Sequence, residues 1–314
     1  MTLAHWDDVE GFTISESVKP LGGFVQRLAD AAGSVRVGAQ RARLAPGQML
    51  TPPHVHSAEE EIFFVLSGSL TLWQDGATCT VDERDTIVFN PAGPAHTVIA
   101  GDSEAELLVF GQRLRPESSL LPRTHAVWVA RSPVPVLEQH PWQSEAALGV
   151  PDGTPGERPA NVIAPGDAEG AFGGLVRRVG AAAGAKQTGL NLFELPPNEE
   201  GAPPHCHSAD EEVFVVIEGE GTLELWGRPT PGRPPATEAS ERHPIRRGHV
   251  VSRPAGTSTS HCFRAGPQGL TYLAFGTRDP NDVCYYPRSN KIFWRGLGLI
   301  ARLEPLDYMD GEPA

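Results

Sequence analysis

The sequence has few cysteines and few basic residues for its length. Its 314 residues include four cysteines, and these show neither a CxxC pair nor the spacing of a disulfide framework. That usage is typical of a reducing compartment. Lysine and arginine number 26 against 39 aspartates and glutamates, so the net charge is −13. Because nucleic acids and anionic membrane surfaces attract basic proteins, this balance argues against both and favours a small-molecule partner.

Long apolar runs and long helical patterns are also missing. No segment approaches the roughly 20 apolar residues of a membrane span, and the N-terminal MTLAHWDDVEGF has no basic stretch followed by an apolar one. We therefore expect a cytoplasmic protein with no membrane partner. Without amphipathic helices, the strands have to bury one another. Glycine (34) and proline (30) are abundant, as in proteins with many short strands and tight turns. The sequence predicts an all-β fold, either an antiparallel barrel or a double-sheet sandwich.

One stretch, PPHVHSAEEEIFFVLSG at residues 52–68, is repeated almost unchanged as PPHCHSADEEVFVVIEG at residues 203–219. The repeat is displaced by 151 positions, from His54 to His205. GGFVQRLADAAG and GGLVRRVGAAAG, which begin at residues 22 and 173, show the same displacement. The chain is therefore a duplication, and its length suits two domains that each bury a core.

The repeat predicts the domain organisation. We expect an N-terminal arm (1–20), a first domain (21–111), a connector rich in proline and polar residues (112–161), a second domain (162–276) and a tail that packs on the barrels (277–314). A proline-rich insertion at residues 227–244 interrupts the second domain. We interpret it as a surface loop, with a lid over the second barrel as the alternative.

Each repeat carries the donor set of a metal site. His54 and His56 alternate along a strand and therefore point to one side, and Glu61 follows five residues later. A shared Pro-Ala-Gly turn at residues 91–93 and 254–256 leads to His96 and His261, although His261 comes two residues later after its turn. The predicted ligands are His54, His56, Glu61 and His96 in the first unit and His205, His207, Glu212 and His261 in the second.

Three imidazoles and one carboxylate suit Fe, Mn, Ni, Cu or Zn and leave coordination positions open for a substrate. We expect one divalent transition metal per domain, with Fe or Mn favoured. Cys206 alternates with the two ligands beside it and should point away as an apolar filler. The neighbouring acidic residues are interpreted as solvated turns: Glu59, Glu60, Asp210 and Glu211.

These motifs resemble the two cupin motifs. The first reads HxH, four residues, Glu, six residues, Gly, and the second reads Pro-x-Gly followed by His; both occur twice, as in a bicupin. The resemblance implies two tandem double-stranded β-helix (jelly-roll) barrels with the metal inside. The sequence departs from the family pattern at Asp85, where the second motif usually opens on glycine, whereas Gly248 keeps that glycine.

The open metal site favours a metal-dependent oxidoreductase of the dioxygenase type, acting on a small organic acid, enol or phenol bound to the metal. A Lewis-acid isomerase, cyclase or decarboxylase is the alternative, and a non-enzymatic metal-binding or ligand-binding cupin is another. Thr51 and Ala202 stand where bicupin oxalate decarboxylases carry an arginine, which weakens oxalate as the substrate. No catalytic residue beyond the ligands is assigned, and a homodimer is compatible with the family.

Overall fold

The computed structural model describes residues 2–14, 16–129, 132–133, 141–227, 236–304, 306 and 309–311. Residues 228–235 of the predicted insertion lie outside this part of the chain. The predicted all-β fold of two tandem barrels is confirmed. No helix in the described ranges is both long and apolar enough to cross a membrane.

The described residues up to Pro133 form fourteen strands. They are β1 (Thr2–His5), β2 (Gly11–Thr13), β3 (Phe24–Arg27), β4 (Val37–Leu44), β5 (Val55–His56), β6 (Glu61–Ser67), β7 (Leu70–Gln74), β8 (Ala77–Val81), β9 (Thr86–Phe89), β10 (His96–Ala100), β11 (Ala105–Gln112), β12 (Ser118–Leu121), β13 (Ala126–Val129) and β14 (Ser132–Pro133).

The described residues from 141 onward form thirteen more. They are β15 (Thr154–Pro155), β16 (Val162–Ile163), β17 (Gly170–Ala171), β18 (Val176–Arg177), β19 (Thr188–Leu195), β20 (Cys206–His207), β21 (Glu212–Trp226), β22 (Glu241–Arg246), β23 (His249–Arg253), β24 (Ser260–Thr277), β25 (Val283–Tyr286), β26 (Lys291–Trp294) and β27 (Leu299–Arg302).

The helices in the described part of the chain are short. The α-helices there are α1 (Leu28–Ala31), α2 (Pro141–Ala147) and α3 (Val179–Ala182). The 3₁₀ turns in the same residues are Trp6–Asp8, Glu16–Val18, Pro165–Asp167, Phe172–Gly174, Pro287–Ser289 and Arg295–Leu297.

Each barrel has a large antiparallel sheet at its centre. In the first barrel the order is β16-β9-β6-β11-β4-β3-β2, and a second sheet, β10-β7-β8-β15, closes it. The second barrel has the order β1-β23-β21-β24-β19-β18-β17, with β22 beside β21. Two small sheets, β14-β13-β12-β5 and β20-β25-β26-β27, each extend a strand that carries an HxH motif. The connector and the tail therefore contribute a strand next to each predicted metal site.

Apolar residues run without interruption through the middle of β6 and the first part of β21, because both faces of these segments are buried. In β6, Phe63 and Val65 face the core inside the first barrel, whereas Ile62 and Phe64 face a core shared by the two barrels. In β21, Val213, Val215 and Ile217 face that shared core in the same way. Alternation along a strand thus explains a continuous apolar run without any helix.

The shared core joins the two halves into one body. At its centre the rings of Phe110 and Phe275 lie 5.2 Å apart, and these residues occupy equivalent positions in the duplication. The two halves also exchange strands. β1 pairs with β23 of the second barrel, and β16 pairs with β9 of the first. The predicted domain boundaries stay predictions, but strands on both sides of them pair across the interface.

Two buried glutamates hold the interface together. Glu60 is fully buried and accepts hydrogen bonds from the backbone N–H groups of residues 186–188 and from the Thr188 hydroxyl. Its repeat equivalent Glu211 accepts from the Ser34 hydroxyl and from the N–H groups of residues 35–36. We call this reciprocal pair the carboxylate clasp. The interpretation of Glu60, Asp210 and Glu211 as solvated turns is wrong, because all three are buried.

The register of the strands corrects one alignment. β6 pairs Phe64 with Thr86, and β21 pairs the equivalent Val215 with Val250. Arg84, at φ 72°, is thus the counterpart of Gly248, at φ 96°. Asp85 is not, because the first unit has one extra residue, Asn90, before its Pro-Ala-Gly turn. The glycine position of the motif is filled by an arginine that keeps the left-handed backbone conformation.

The carboxylate clasp predicts a large loss of stability on truncation. Glu60→Ala should lower the free energy of unfolding by about 3–5 kcal/mol, because buried donors lose a charged acceptor. Glu60→Gln keeps one acceptor oxygen and should cost about 1–3 kcal/mol. Urea denaturation followed by circular dichroism measures both. Glu83→Ala, at an exposed position, is the control and should change stability by about 0.5 kcal/mol or less. An equal effect of Glu60→Ala and Glu83→Ala would contradict the clasp.

Candidate metal centre

The four predicted ligands of the first barrel lie together at one end of it. His56 is on β5, while Glu61 and His96 are the first residues of β6 and β10. A β-bridge joins His54 to His96, which holds the two imidazoles beside each other. The side-chain donor atoms of all four residues lie within 4.8 Å of one another. Glu61 Oε2 is 3.2 Å from His96 Nε2 and 3.7 Å from His56 Nε2.

Hydrogen bonds on the outer side of each ring fix which nitrogen faces the centre. Nδ1–H of His54 donates to the carbonyl of Pro52 at 2.9 Å, and Nδ1–H of His96 donates to that of Pro94 at 3.1 Å. A carbonyl can only accept, so each Nδ1 carries the proton and each Nε2 keeps a lone pair. His54 Nε2 lies 3.1 Å from His56 Nε2. The nitrogen lone pairs therefore converge on one point.

Glu117 orients the third imidazole and was missed by the sequence analysis. Its Oε1 accepts from His56 Nδ1 at 3.2 Å, and its carboxylate also accepts from the N–H groups of residues 57–59. Asp282 does the same in the second barrel, where its Oδ2 lies 2.7 Å from His207 Nδ1. The two acids are 165 positions apart, as are His96 and His261. The same displacement relates Phe110 to Phe275. Extending the alignment seven residues beyond this pair would have identified both acids.

Burial and neighbouring charges together shift the pKa values of residues in the first cluster. Burial lowers the pKa of His54 to about 3, and repulsion from the other two imidazoles acts in the same direction. Burial also disfavours charge on His56, but Glu61 and Glu117 outweigh it and raise the pKa of His56 to about 9. Burial would raise the pKa of Glu61, yet its contacts with His56 and His96 hold it well below its usual range. The cluster thus stabilises a carboxylate facing a cation.

The second barrel brings the equivalent residues together less tightly. Donor atoms of His205, Glu212 and His261 lie within 4.8 Å of one another, and His207 joins a separate group with Asp210 and Asp282. Glu212 Oε2 is still 3.5 Å from His207 Nε2 and 3.3 Å from His261 Nε2. A β-bridge between His205 and His261 matches the one in the first barrel. The duplication has kept the position of all four residues.

A buried arginine distinguishes the second cluster. Arg253 is 5 % exposed and pairs with Glu212 in the sheet, at the position where Phe89 pairs with Glu61 in the first barrel. Phe89 stacks on the imidazole of His96, with ring centroids 3.6 Å apart. Arg253 instead donates to the carbonyl of Thr259, two residues before His261. Nδ1 of His261 has no hydrogen-bond partner among the described residues, so no bond of the kind that fixes the ring of His96 is seen there.

The tail adds two side chains to the second cluster. Tyr286 stacks on the ring of His205, with centroids 5.9 Å apart. The sulfur of Cys284 lies within 4.8 Å of donor atoms of His205 and His207. Burial raises the pKa of the Cys284 thiol, so it stays protonated in the metal-free protein. Cys206 is buried as predicted.

A large pocket opens above the first cluster. It has a volume of about 880 Å³, and its lining includes His54, His56 and Glu61. Strand β3, the 35–40 segment, the residues after β11 and the connector form the rest of its wall. The first cluster is therefore accessible to a small molecule.

The residues of both clusters fit a metal ion. In the first barrel, three imidazoles with outward Nδ1–H groups and one carboxylate supply four donors of the type that Fe, Mn, Ni, Cu and Zn accept. In the second barrel, Glu212 Oε2 and His261 Nε2 are buried 3.3 Å apart, and neither makes a well-formed hydrogen bond to a described residue. Buried polar atoms rarely lack such a bond, and a cation between the two would supply a partner for both. The eight ligand assignments stay predictions.

The fold and these clusters define a protein of two tandem β-barrels, each with a histidine and glutamate group of metal-binding type. A protein-family search matches the Cupin domain twice, over residues 40–111 and 191–273. The chain belongs to the cupin superfamily, as a bicupin. No curated protein sequence matches it.

Solved structures share this architecture at low sequence identity. The oxalate decarboxylase of Lactobacillus farciminis, in its formate complex, has 13 % identity and a TM-score of 0.59, covering 88 % of this chain and 86 % of that one. A deletion mutant of Bacillus subtilis oxalate decarboxylase has 16 % identity and a TM-score of 0.59, with coverages of 89 % and 77 %. The 7S globulin of Momordica charantia has 14 % identity and a TM-score of 0.58, with coverages of 91 % and 86 %. These similarities show a common fold.

The outer carboxylates predict a change in metal affinity. In a His205→Ala/His207→Ala background, where the first barrel alone keeps its full ligand set, Glu117→Gln should weaken Mn²⁺ or Zn²⁺ binding about 10–100-fold. The loss follows because His56 is no longer held by a charged partner. Competition with a chromophoric chelator measures the affinity. Asp282→Asn in the same background is the control and should have no effect. Equal affinity with and without Glu117→Gln would rule out the orienting role.

Proposed function

We propose that the protein is a metal-dependent enzyme that transforms a small organic molecule at the first barrel. The observation that carries this proposal is the position of the first cluster in the lining of the 880 Å³ pocket. His54, His56, Glu61 and His96 would hold the ion, and Glu117 would orient His56. A bound divalent metal supplies Lewis acidity and open coordination positions. The chain itself positions the substrate and excludes water.

The proposed reaction class is oxidation by O₂, as in a dioxygenase, with an organic acid, enol or phenol as substrate. Phe63, Phe89 and the other apolar residues behind the cluster are buried. Such a dry, preorganised wall limits side reactions with water. We propose Fe or Mn as the metal, one ion per barrel.

A Lewis-acid reaction is the second candidate. It is favoured by the similarity in fold to oxalate decarboxylases, and the B. subtilis enzyme has Mn(II) centres. The missing arginine at Thr51 and Ala202 speaks against oxalate itself. A non-enzymatic role as a binding protein is the third candidate, and the globulin shows that the fold is not confined to decarboxylases.

Ligand variants test the proposal. His54→Ala/His56→Ala should remove the metal of the first barrel, leave that of the second, and lower turnover roughly 100-fold or more. His205→Ala/His207→Ala should remove the second metal with a smaller effect on turnover. Metal analysis by mass spectrometry reports moles of ion per chain, and an oxygen electrode with a panel of enols, phenols and organic acids reports turnover.

The outcomes separate the candidates. Oxygen consumption that depends on the first cluster supports the dioxygenase. Release of CO₂ without net oxygen consumption would indicate a decarboxylase instead of a dioxygenase. Unchanged metal content in His54→Ala/His56→Ala would refute the ligand assignment, and full metal loading without any turnover would favour the binding protein.

We also propose a homodimer, supported by the outer strand of the tail sheet. β27 lies at the edge of its sheet, and Leu299 and Ile300 on it are 52 % and 60 % exposed. Exposed apolar edge strands favour pairing with a second chain. Light scattering should give twice the 33.6 kDa chain mass, and Ile300→Lys should shift the protein to monomer. A dimer that is unaffected by Ile300→Lys would place the interface elsewhere.

A further inference from the structure

We propose that the first-barrel pocket takes an organic anion with an extended apolar body, bound by arginines at the mouth of the pocket. This inference rests on the proposed function and names its substrate class. Four arginines line the pocket: Arg27, Arg36, Arg113 and Arg115. The chain as a whole carries a charge of −13, so a group of guanidinium groups at one opening is a local exception.

Three of these arginines have no carboxylate partner in the described part of the chain. Arg113 pairs with Asp30, but no carboxylate in the described part of the chain lies within 4 Å of Arg27, Arg36 or Arg115. All three are exposed. We call Arg27, Arg36 and Arg115 the rim arginines. Guanidinium groups bind carboxylates and phosphates through paired hydrogen bonds, and exposed charges also steer anions to a site.

The carboxylates in the pocket do not cancel the rim arginines, because each has partners within the protein. Asp30 pairs with Arg113, and Glu117 accepts from His56 and the backbone. Glu61 faces the imidazoles, and Glu59 accepts from the N–H of Leu114. The charged groups of the pocket that have no oppositely charged partner in the described part of the chain are therefore the rim arginines.

Another part of the pocket lining is apolar, and the pocket is much larger than a two-carbon acid needs. Trp128 and Trp142 line the pocket together with Leu121, and the two indole rings are 6.4 Å apart. A volume of about 880 Å³ is in the range of about 300–1,000 Å³ that takes drug-sized ligands. Aromatic walls favour flat apolar groups. The ligand therefore has a charged end at the rim and an apolar body on the tryptophans.

The rim is specific to the first barrel. Arg27 has an equivalent in Arg178, but Arg36 corresponds to Gln187 and Arg115 to Pro280. Both halves therefore have the candidate metal ligands. Two of the three rim arginines, Arg36 and Arg115, occur in the first half alone. Arg36 is also held across the interface, because its Nη1 donates to the carbonyl of Ala209 at 2.7 Å.

Binding measurements on the Mn²⁺-loaded full chain test this inference. The probes are 2-naphthoate, its neutral isostere 2-naphthamide, and acetate, which has the charge without the apolar body. Isothermal titration calorimetry should show that 2-naphthoate binds once per chain and that both other probes bind about tenfold more weakly or worse. Arg27→Gln/Arg115→Gln should weaken 2-naphthoate about tenfold or more while 2-naphthamide is unaffected.

Arg178→Gln is the matched control, since Arg178 is the repeat equivalent of Arg27 and does not line the pocket. It should change the affinity for 2-naphthoate less than about twofold. Equal binding of naphthoate and naphthamide, equal binding of acetate and naphthoate, or no binding of naphthoate would each overturn the proposal. So would an equal loss of affinity in Arg178→Gln and in the double rim variant.

The two proposals fail separately. Turnover that needs the first cluster but shows no preference for anions would leave the proposed function standing and refute the substrate class. Anion binding that depends on the rim arginines, without turnover of any substrate, would refute the catalytic proposal and leave the binding site.

Discussion

Alternation of side chains along one strand is the constraint on which the rest of this structure depends. Glu60 and Glu61 are adjacent, so they point in opposite directions. Glu60 enters the interface and accepts hydrogen bonds from the other barrel, while Glu61 enters the first cluster. Glu211 and Glu212 repeat the arrangement in the second barrel. The same short segment thus fixes the relation between the barrels and the position of a metal-type carboxylate.

This coupling explains why the two halves form one body. The clasp formed by Glu211 holds the residues around Arg36, which line the pocket of the first barrel. One half therefore shapes the pocket of the other. Strand exchange strengthens the connection, because β1 and β16 each complete a sheet in the opposite barrel. A single barrel cut out of this chain would expose the shared apolar core and leave buried carboxylates without donors.

The fold and the eight candidate ligands could be predicted because they depend on local patterns and a repeat. HxH places two imidazoles on one side of a strand, and the duplication gives a second example of each position. Glu60 and Glu211 could not be interpreted locally. An acidic triplet normally faces solvent, and its burial depends on donors more than 120 residues away in the chain. The match of Arg84 with Gly248 could not be predicted either, because one extra residue before a turn leaves no signal in a pattern of short strands.

The remaining difference between the halves lies in what surrounds two similar clusters. In the first barrel, Phe89 stacks on His96, and the rim arginines are exposed residues of the pocket lining. In the second, Arg253 is buried beside Glu212, and Tyr286 covers His205. A buried cation next to a metal-type site is unfavourable unless an anion compensates it. The first cluster thus lies in a pocket that is open to small molecules, whereas the second has a positive charge buried beside it. Duplication kept the donor residues in both halves, and their neighbours diverged.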